Sequence, residues 1–494
     1  MLGTVGMDRV SGVLVGQACG DALGVPYEFA SLPAAGQPAE MLGGGLGNYE
    51  PGEYSDDTQM AVCIARVAAT GADLTGDDAL DEIADGFLSW EAGGPSDVGI
   101  QTRSVLSRAR SGRGRPAARL RDAAAGWHAR TGKSAGNGAL MRTAPVTLAN
   151  LNDPQAMAAS ARAVAELTHP DPLAGDACVL WCAGIARAIT EGSFDGVRAG
   201  LELLVPAHRD RWASWLAEAE QSPPERFNPN GFTVPALQAA YSAVCSTVVP
   251  QDDPANGMFP CLHLQHGMQA AVRAGNDTDT VAAIAGALLG ARWGVSAVPL
   301  AWQRVVHGWP SLRVRDLVRL AVLAARHGQP DAQGWPSAPR LSYAVPAWPG
   351  VPHPADDGVL LGGFGALGTD VDAVVSLCRL GAAEVPAVGV DAGNHIEVPL
   401  IDTEDPGYNP NLEFVIDDAA RTVAALREEG KRVLLHCAQA QRRTPTVAAR
   451  YAVLRGTPLE QALSEVTRAL PDANPNRALR NALRHLGASE ARPG

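Results

Sequence analysis

The chain has 494 residues, of which 46% are hydrophobic and 19% charged. Those values exclude a disordered chain and call for two or more cores. The net charge is −13, from 40 Lys and Arg against 53 Asp and Glu, with no long basic run. This argues against a general binder of nucleic acid or anionic membrane, whose affinity comes from Lys and Arg.

The eight cysteines (Cys19, Cys63, Cys178, Cys182, Cys245, Cys261, Cys378 and Cys437) form no C-x-x-C pair. Most lie in Ala-rich apolar context and read as small core residues in a reducing cytoplasm. Cys178 and Cys182 share a helix face but lack a second pair to complete a metal site. Gln17 and Asp21 interrupt the first apolar segment, so no signal peptide and no membrane-spanning run is expected.

From Val10 to about Arg326 the apolar residues recur at helical spacing, as in "CVLWCAGIARAIT" and "TVAAIAGALLGARWG". The first helix carries Gly12, Gly16, Gly20 and Gly24 at strict four-residue spacing. That is a smooth ridge which another helix or a ligand can approach closely. Gln329 to Gly358 is rich in Pro and lacks helical periodicity, so it reads as a linker that packs through Trp335, Tyr343 and Trp348. Beyond it, "DAVVSLC", "HIEVPLID" and "RVLLHC" are short strand-like runs between helical ones, which predicts a mostly parallel sheet. The expected organisation is a helical domain over 1–328, a linker over 329–356 and an α/β domain over 357–494.

Two acidic clusters stand directly before apolar helices. One is Ser55, Asp56, Asp57 and Thr58; the other is Asp277, Thr278, Asp279 and Thr280. Residues two apart on a helix do not share a face, so these carboxylates converge only at a helix N-terminus. One reading is helix capping, favoured by the free N–H groups and the dipole. The other is a shared site of hard oxygen donors for Mg²⁺, Mn²⁺ or Ca²⁺.

The segments "GQACGDALGVPYEF", "YSDDTQM", "GPSDVGIQTR", "SAGNGALMRTAPV", "THPDP" and "GNDTDTVAAIAGALLGA" follow in this order. Together they resemble the ADP-ribosylglycohydrolase family, related to dinitrogenase-reductase-activating glycohydrolase, from about Val10 to Pro310. The resemblance implies an all-helical domain binding two Mg²⁺ or Mn²⁺ ions. It assigns Ser55, Asp56 and Asp57 as ligands opposite Asp277, Asp279 and Thr280, with Glu28 beside the metals. Asp97 and the backbone of Gly136, Asn137 and Gly138 would face ADP-ribose, and His169 would line the adenosine side. A carboxylate such as Asp56, Asp57 or Glu28 would act as acid or base in cutting an ADP-ribosyl N- or O-glycosidic bond. The substrate would be an ADP-ribosylated protein or small molecule, with nucleic acid entering only as an ADP-ribosylated end.

"VLLHCAQAQRRTPTVAARYAVL" places Cys437 after an apolar strand and Arg443 six residues later, before a helix. A Cys-x₅-Arg loop there is an anion cradle whose field favours the thiolate. The region from about Asp357 to Leu486 resembles a dual-specificity, protein-tyrosine-phosphatase-like domain. The resemblance makes Cys437 the nucleophile, Arg443 the phosphate ligand, Thr444 the aid to thiolate departure and Asp402 the general acid, with Asp405 the alternative. Its substrate would be phosphorylated. Ala440 stands where the family has Gly, so a positive φ there would strain the loop, and Arg442 adds a bulky cation beside it. The competing reading is a binder of ADP-ribose or phosphate with a weak or inactive phosphatase domain.

Overall fold

The computed structural model describes residues 2–34, 36–341, 343, 348–470 and 472–487. The N-terminal part is helical. Its centre is a pair of helices, α1 (Thr4–Gly24) and a later helix, Thr278–Trp293, both buried along most of their length. The glycine ridge of α1 lies on the backbone of this later helix. A Cβ placed on Gly16 would sit 2.3 Å from the Gly286 carbonyl oxygen, and one on Gly20 would sit 2.1 Å from that of Ala282. The contact is mutual, since a Cβ on Gly290 would meet the Gly12 carbonyl at 2.0 Å. Gly12 meets Gly290 and Gly24 meets Asp279, so the helices run antiparallel. Of the two partners expected for the ridge, it is a helix that approaches it.

Around this pair pack α2 (Asp56–Ala68) and α4 (Pro172–Glu191), with α3 (Ile100–Arg110) between them in the chain; the later helix is α5, and α6 (Val314–Ala325) follows it. By length and composition α4 could cross a membrane, contrary to the expectation from sequence. It is instead a core helix, 72% buried over its apolar stretch, and its Trp181 indole donates to the Ile284 carbonyl of α5. Cys178 and Cys182 on α4 are buried, and Cys182 lies against Thr143.

The C-terminal part holds a five-stranded sheet. In chain order its strands are β1 (Val351–His353), β2 (Asp356–Gly362), β3 (Ala373–Ser376), β4 (His395–Glu397) and β5 (Val433–His436). Their spatial order is β1-β2-β5-β3-β4, with only β1–β2 antiparallel. Leu434 of β5 opposes Leu360 of β2 on one side and Val374 of β3 on the other. Helices α7 (Leu412–Glu428) and α8 (Arg443–Leu454) pack against it, and α9 (Leu459–Ala469) and α10 (Arg477–Gly487) follow. The sequence did not announce β1 and β2. They end the Pro-rich segment, and β1 tolerates Pro352 because it is an edge strand.

The two parts are tied by Arg315–Glu397, by Arg304–Glu429 and by the Leu300 N–H donating to Asp418. Asn411 reaches back to the Trp293 carbonyl and Ser296. Within the linker, Trp335 lies under the Arg379 guanidinium at 4.2 Å, and the Tyr343 hydroxyl donates to the Arg379 carbonyl.

The helix contact makes a stability prediction. Gly20→Ala should destabilise the protein by roughly 2–3 kcal/mol in urea unfolding, because neither backbone can yield. Gly368→Ala, with nothing within 4 Å of the added Cβ, should change nothing measurable.

Candidate functional site

The acidic clusters sit where the pattern puts them, at the first turns of α2 and α5, with Ser55 and Asp277 at the N-cap positions. Neither side chain caps its own helix. The work of capping α2 falls to Asp21, reaching across from α1. It accepts from Ser55 N (2.8 Å), Ser55 Oγ (2.8 Å), Thr58 N (3.0 Å) and Thr58 Oγ1 (2.6 Å). Ser55 Oγ also donates to Asp57 Oδ2 at 3.1 Å, and Asp56 and Asp57 are left free of capping their own helix.

On the opposite wall, Asp277 is held by its N–H donating to Asn230 Oδ1 and by Asn137 Nδ2 donating to its Oδ2 at 2.7 Å. Oxygens of Asp21, Asp57 and Asp279 lie within 4.8 Å of one another, as do those of Glu28, Asp277 and Asp279. Asp279 belongs to both groups. Thr280 is buried beside them, and its N–H donates to Asp279 Oδ1 at 2.9 Å. Asp57 Oδ1 is buried with no hydrogen-bond partner.

Burial pushes the carboxyls of Asp56, Asp57 and Asp279 well above the usual range, and neighbouring carboxylates push them further. Burial followed by repulsion from Asp277, Asp97, Asp56 and Asp21 takes Glu28 up to about 9. The charges acting most on these four groups are all negative. Half-buried Asp97 adds to this field, and the Gly99 N–H beside it bonds Asp56.

The loop carrying Gly136, Asn137 and Gly138 is pinned by the Thr233 N–H on the Ala135 carbonyl and by Asn137 Nδ2 on the Asn230 carbonyl. Its glycines serve close approach rather than a left-handed backbone. Gly136 has φ −63°, and a Cβ on Gly138 would lie 3.0 Å from the His169 ring. His169 is buried behind this loop, 2% exposed, rather than on an open face. Its Nδ1 lies 2.7 Å from Thr168 Oγ1, which accepts from buried Arg142. Burial, then Arg142, holds His169 well below its ordinary pKa and hence neutral.

Asp21 and Asn230 are the site residues that sequence reasoning missed. Asp21 had a visible signal, a lone carboxylate inside an apolar helix. Asn230 had none.

In the C-terminal part, Cys437, Ala438, Gln439, Gln441, Arg442 and Arg443 curl between β5 and α8. Together with Asp402 they line a cavity of about 290 Å³. Arg443 Nη1 donates to the Leu377 and Leu400 carbonyls, while its Nε is buried without a partner. Arg442 turns outward and pairs with Asp402 at 3.3 Å. Asp405 instead accepts from Gly407 N and does not line the cavity. The Thr444 hydroxyl donates to the Gly362 carbonyl. His436, beneath the loop, meets the Ser376 hydroxyl at 2.6 Å, and burial draws its pKa down to about 4. Ala440 has φ 58°, the left-handed backbone that its place in the loop demands.

A mostly helical domain, with one small two-stranded sheet at His307–Gly308 and Leu312–Arg313, that sets two acidic helix tips against each other defines the class of this protein. The chain belongs to the ADP-ribosylglycohydrolase family, whose profile matches residues 4–332. It is similar to the ADP-ribosyl-(dinitrogen reductase) glycohydrolase of Rhodospirillum rubrum, at 29% identity over 301 residues, 60% of this chain and 89% of that one. It is also similar to the ADP-ribosylarginine hydrolase Tri1 of Pseudomonas putida (strain GB-1), at 28% identity over 309 residues, 60% of this chain and 73% of that one. The C-terminal part aligns with the crystal structure of human DUSP28 over 28% of this chain and 95% of that one, at 22% identity and a TM-score of 0.24. That likeness is too slight to carry an argument.

A left-handed alanine costs about 1–2 kcal/mol, and glycine returns part of that as chain entropy. Ala440→Gly should therefore raise stability by about 0.5–1 kcal/mol in thermal melts of the full chain.

Proposed function

We propose that the helical domain hydrolyses an ADP-ribosyl N- or O-glycosidic bond with the help of two divalent cations. The observation that carries this reading is a buried carboxylate cluster with no neutralising cation, in which Asp57 Oδ1 lacks any partner. Buried charge left unpaired is expensive, and an all-oxygen donor set of this kind suits Mg²⁺ or Mn²⁺. Ser55, Asp56 and Asp57 would hold the ions from one wall, and Asp277, Asp279 and Thr280 from the other. When bound, such ions orient ribose hydroxyls, activate water and steady developing charge.

The chain's own part is positioning and proton transfer. Asp21 fixes the α2 tip, Asn137 and Asn230 fix Asp277, and Asp97 and the Gly136–Gly138 backbone face the ADP-ribose. Asp57 or Glu28 takes a proton from the attacking water, whose oxygen bonds the anomeric carbon as the bond to the acceptor breaks. The same carboxylate then passes that proton to the departing nitrogen or oxygen. The eight free thiols suit a reducing cytoplasm.

The test is release of free ADP-ribose from a panel of arginine-, serine-, nucleic-acid- and metabolite-linked conjugates. Asp57→Ala and Asp279→Ala should each lower kcat at least about 10³-fold while leaving the helical circular dichroism intact. EDTA should abolish turnover and Mg²⁺ or Mn²⁺ should restore it; full activity after EDTA removes the metal role.

A second reading is favoured by Arg443, whose Nε is buried and unpartnered at a loop of backbone N–H groups. We infer a cysteine-dependent phosphatase. The Cys437 thiolate forms an S–P bond as the ester P–O bond breaks, and Asp402 protonates the leaving oxygen. Water then cleaves the S–P bond, with Asp402 taking its proton and Thr444 aiding the thiolate. Arg443 grips two phosphate oxygens. The full chain should hydrolyse p-nitrophenyl phosphate in a vanadate-sensitive way, and Cys437→Ser should lower that turnover at least about 10³-fold. Tungstate binding without turnover would make the domain a binder only.

A further inference from the structure

One cavity belongs to neither domain alone. It encloses about 770 Å³ between the N-terminal end of α1, the start of α6 and the segment from β4 to the start of α7. That volume falls in the range of ligand pockets, which favour domain interfaces. Two of its lining residues, Asp402 and Arg443, also line the cradle around Cys437. Cavity and cradle therefore adjoin at the general acid and the phosphate-binding arginine of the phosphatase reading.

We propose that the two form a single substrate site for a nucleotide-sized phosphomonoester, with the phosphate in the cradle and the organic body between the domains. This rests on the phosphatase reading and deepens it. The leaving-group oxygen would emerge beside Asp402, at the junction, which is where a body lodged in the larger cavity must be attached.

The walls specify the body. Arg315, Arg379 and Arg304 are neutralised by Glu397, Asp331 and Glu429. Among the described residues Arg313 is not: its guanidinium donates only to the Arg304 carbonyl, at 3.4 Å. Tyr408, from the opposite domain, is 46% exposed, and Met7 and Val314 supply apolar surface from the helical side. An unneutralised guanidinium and an open aromatic ring suit a planar ring with polar substituents, as in a nucleoside phosphate. A phosphorylated segment of a folded protein fits poorly. Its backbone would have to enter between domains already tied by Arg315–Glu397, Arg304–Glu429 and the Leu300–Asp418 bond.

The experiment compares kcat/KM of the full chain on 5′-AMP, 3′-AMP, p-nitrophenyl phosphate and a phosphotyrosyl peptide. A nucleoside monophosphate should exceed the peptide at least ten-fold. Met7→Trp, which fills the cavity from the helical side, should lower the ratio of nucleotide to p-nitrophenyl phosphate turnover at least ten-fold. Arg313→Ala should lower the same ratio, and it keeps the backbone N–H that Asp316 accepts, so folding is retained if Met7→Trp melts early. A faster peptide, or ratios unchanged in Arg313→Ala, overturns the shared site while leaving the phosphatase standing. No turnover of p-nitrophenyl phosphate by the unaltered chain overturns the phosphatase reading itself.

Discussion

Everything in the helical part depends on the backbone contact between α1 and α5. Two helices with side chains on their facing surfaces settle 8–10 Å apart, but here glycines let carbonyl oxygen approach α-carbon along four turns. A Cβ on Gly24 would lie 2.4 Å from the Asp279 α-carbon, so the end of α1 is laid directly on the tip of α5. That contact brings Asp21, and Glu28 just beyond the helix, against Asp279. It also forces like charges together, at a cost the rest of the domain must offset.

The offset is partial and organised. Ser55 and Thr58 give Asp21 four hydrogen bonds, and Asn137 and Asn230 steady Asp277. These neutral donors orient the carboxylates without cancelling their charge, and they leave Asp57 Oδ1 with nothing. A group that binds the folded state at such a place adds its binding free energy to folding. Strain concentrated at one point of an otherwise well-packed core marks function more than it marks a defect.

What could be read in advance was local. The acidic runs at the tips of α2 and α5 and the Cys437-to-Arg443 loop are contiguous, and their shape follows from the strand, turn or helix they start. The four-residue spacing of the glycines is equally local, although its partner helix lies more than 250 residues away. Capping by Asp21 was not legible, because the donors and acceptor are 34 and 37 residues apart and the helix tip carried its own plausible caps. The place of His169 behind the glycine loop depends on Arg142 and Thr168, which no spacing joins. Strands β1 and β2 hid in a Pro-rich segment whose pairing partner, β5, comes some 70 residues later.

The two sites hang from opposite ends of one rod. The last turns of α1 carry Asp21, and its first turns supply Thr4, Met7 and Asp8 to the interdomain cavity. The 21 residues of α1 span about 31 Å at 1.5 Å per residue. A ligand of nucleotide size cannot touch both ends at once. Besides α6, which packs on α1 and α2 and lines the cavity, the mechanical link between them is the α1–α5 pair. Its close backbone contact permits no sliding of one helix on the other, because a shift would drive side chains neighbouring the glycines into carbonyls. The α1–α5 pair is therefore a fixed spacer between the acidic helix tips and the interdomain cavity.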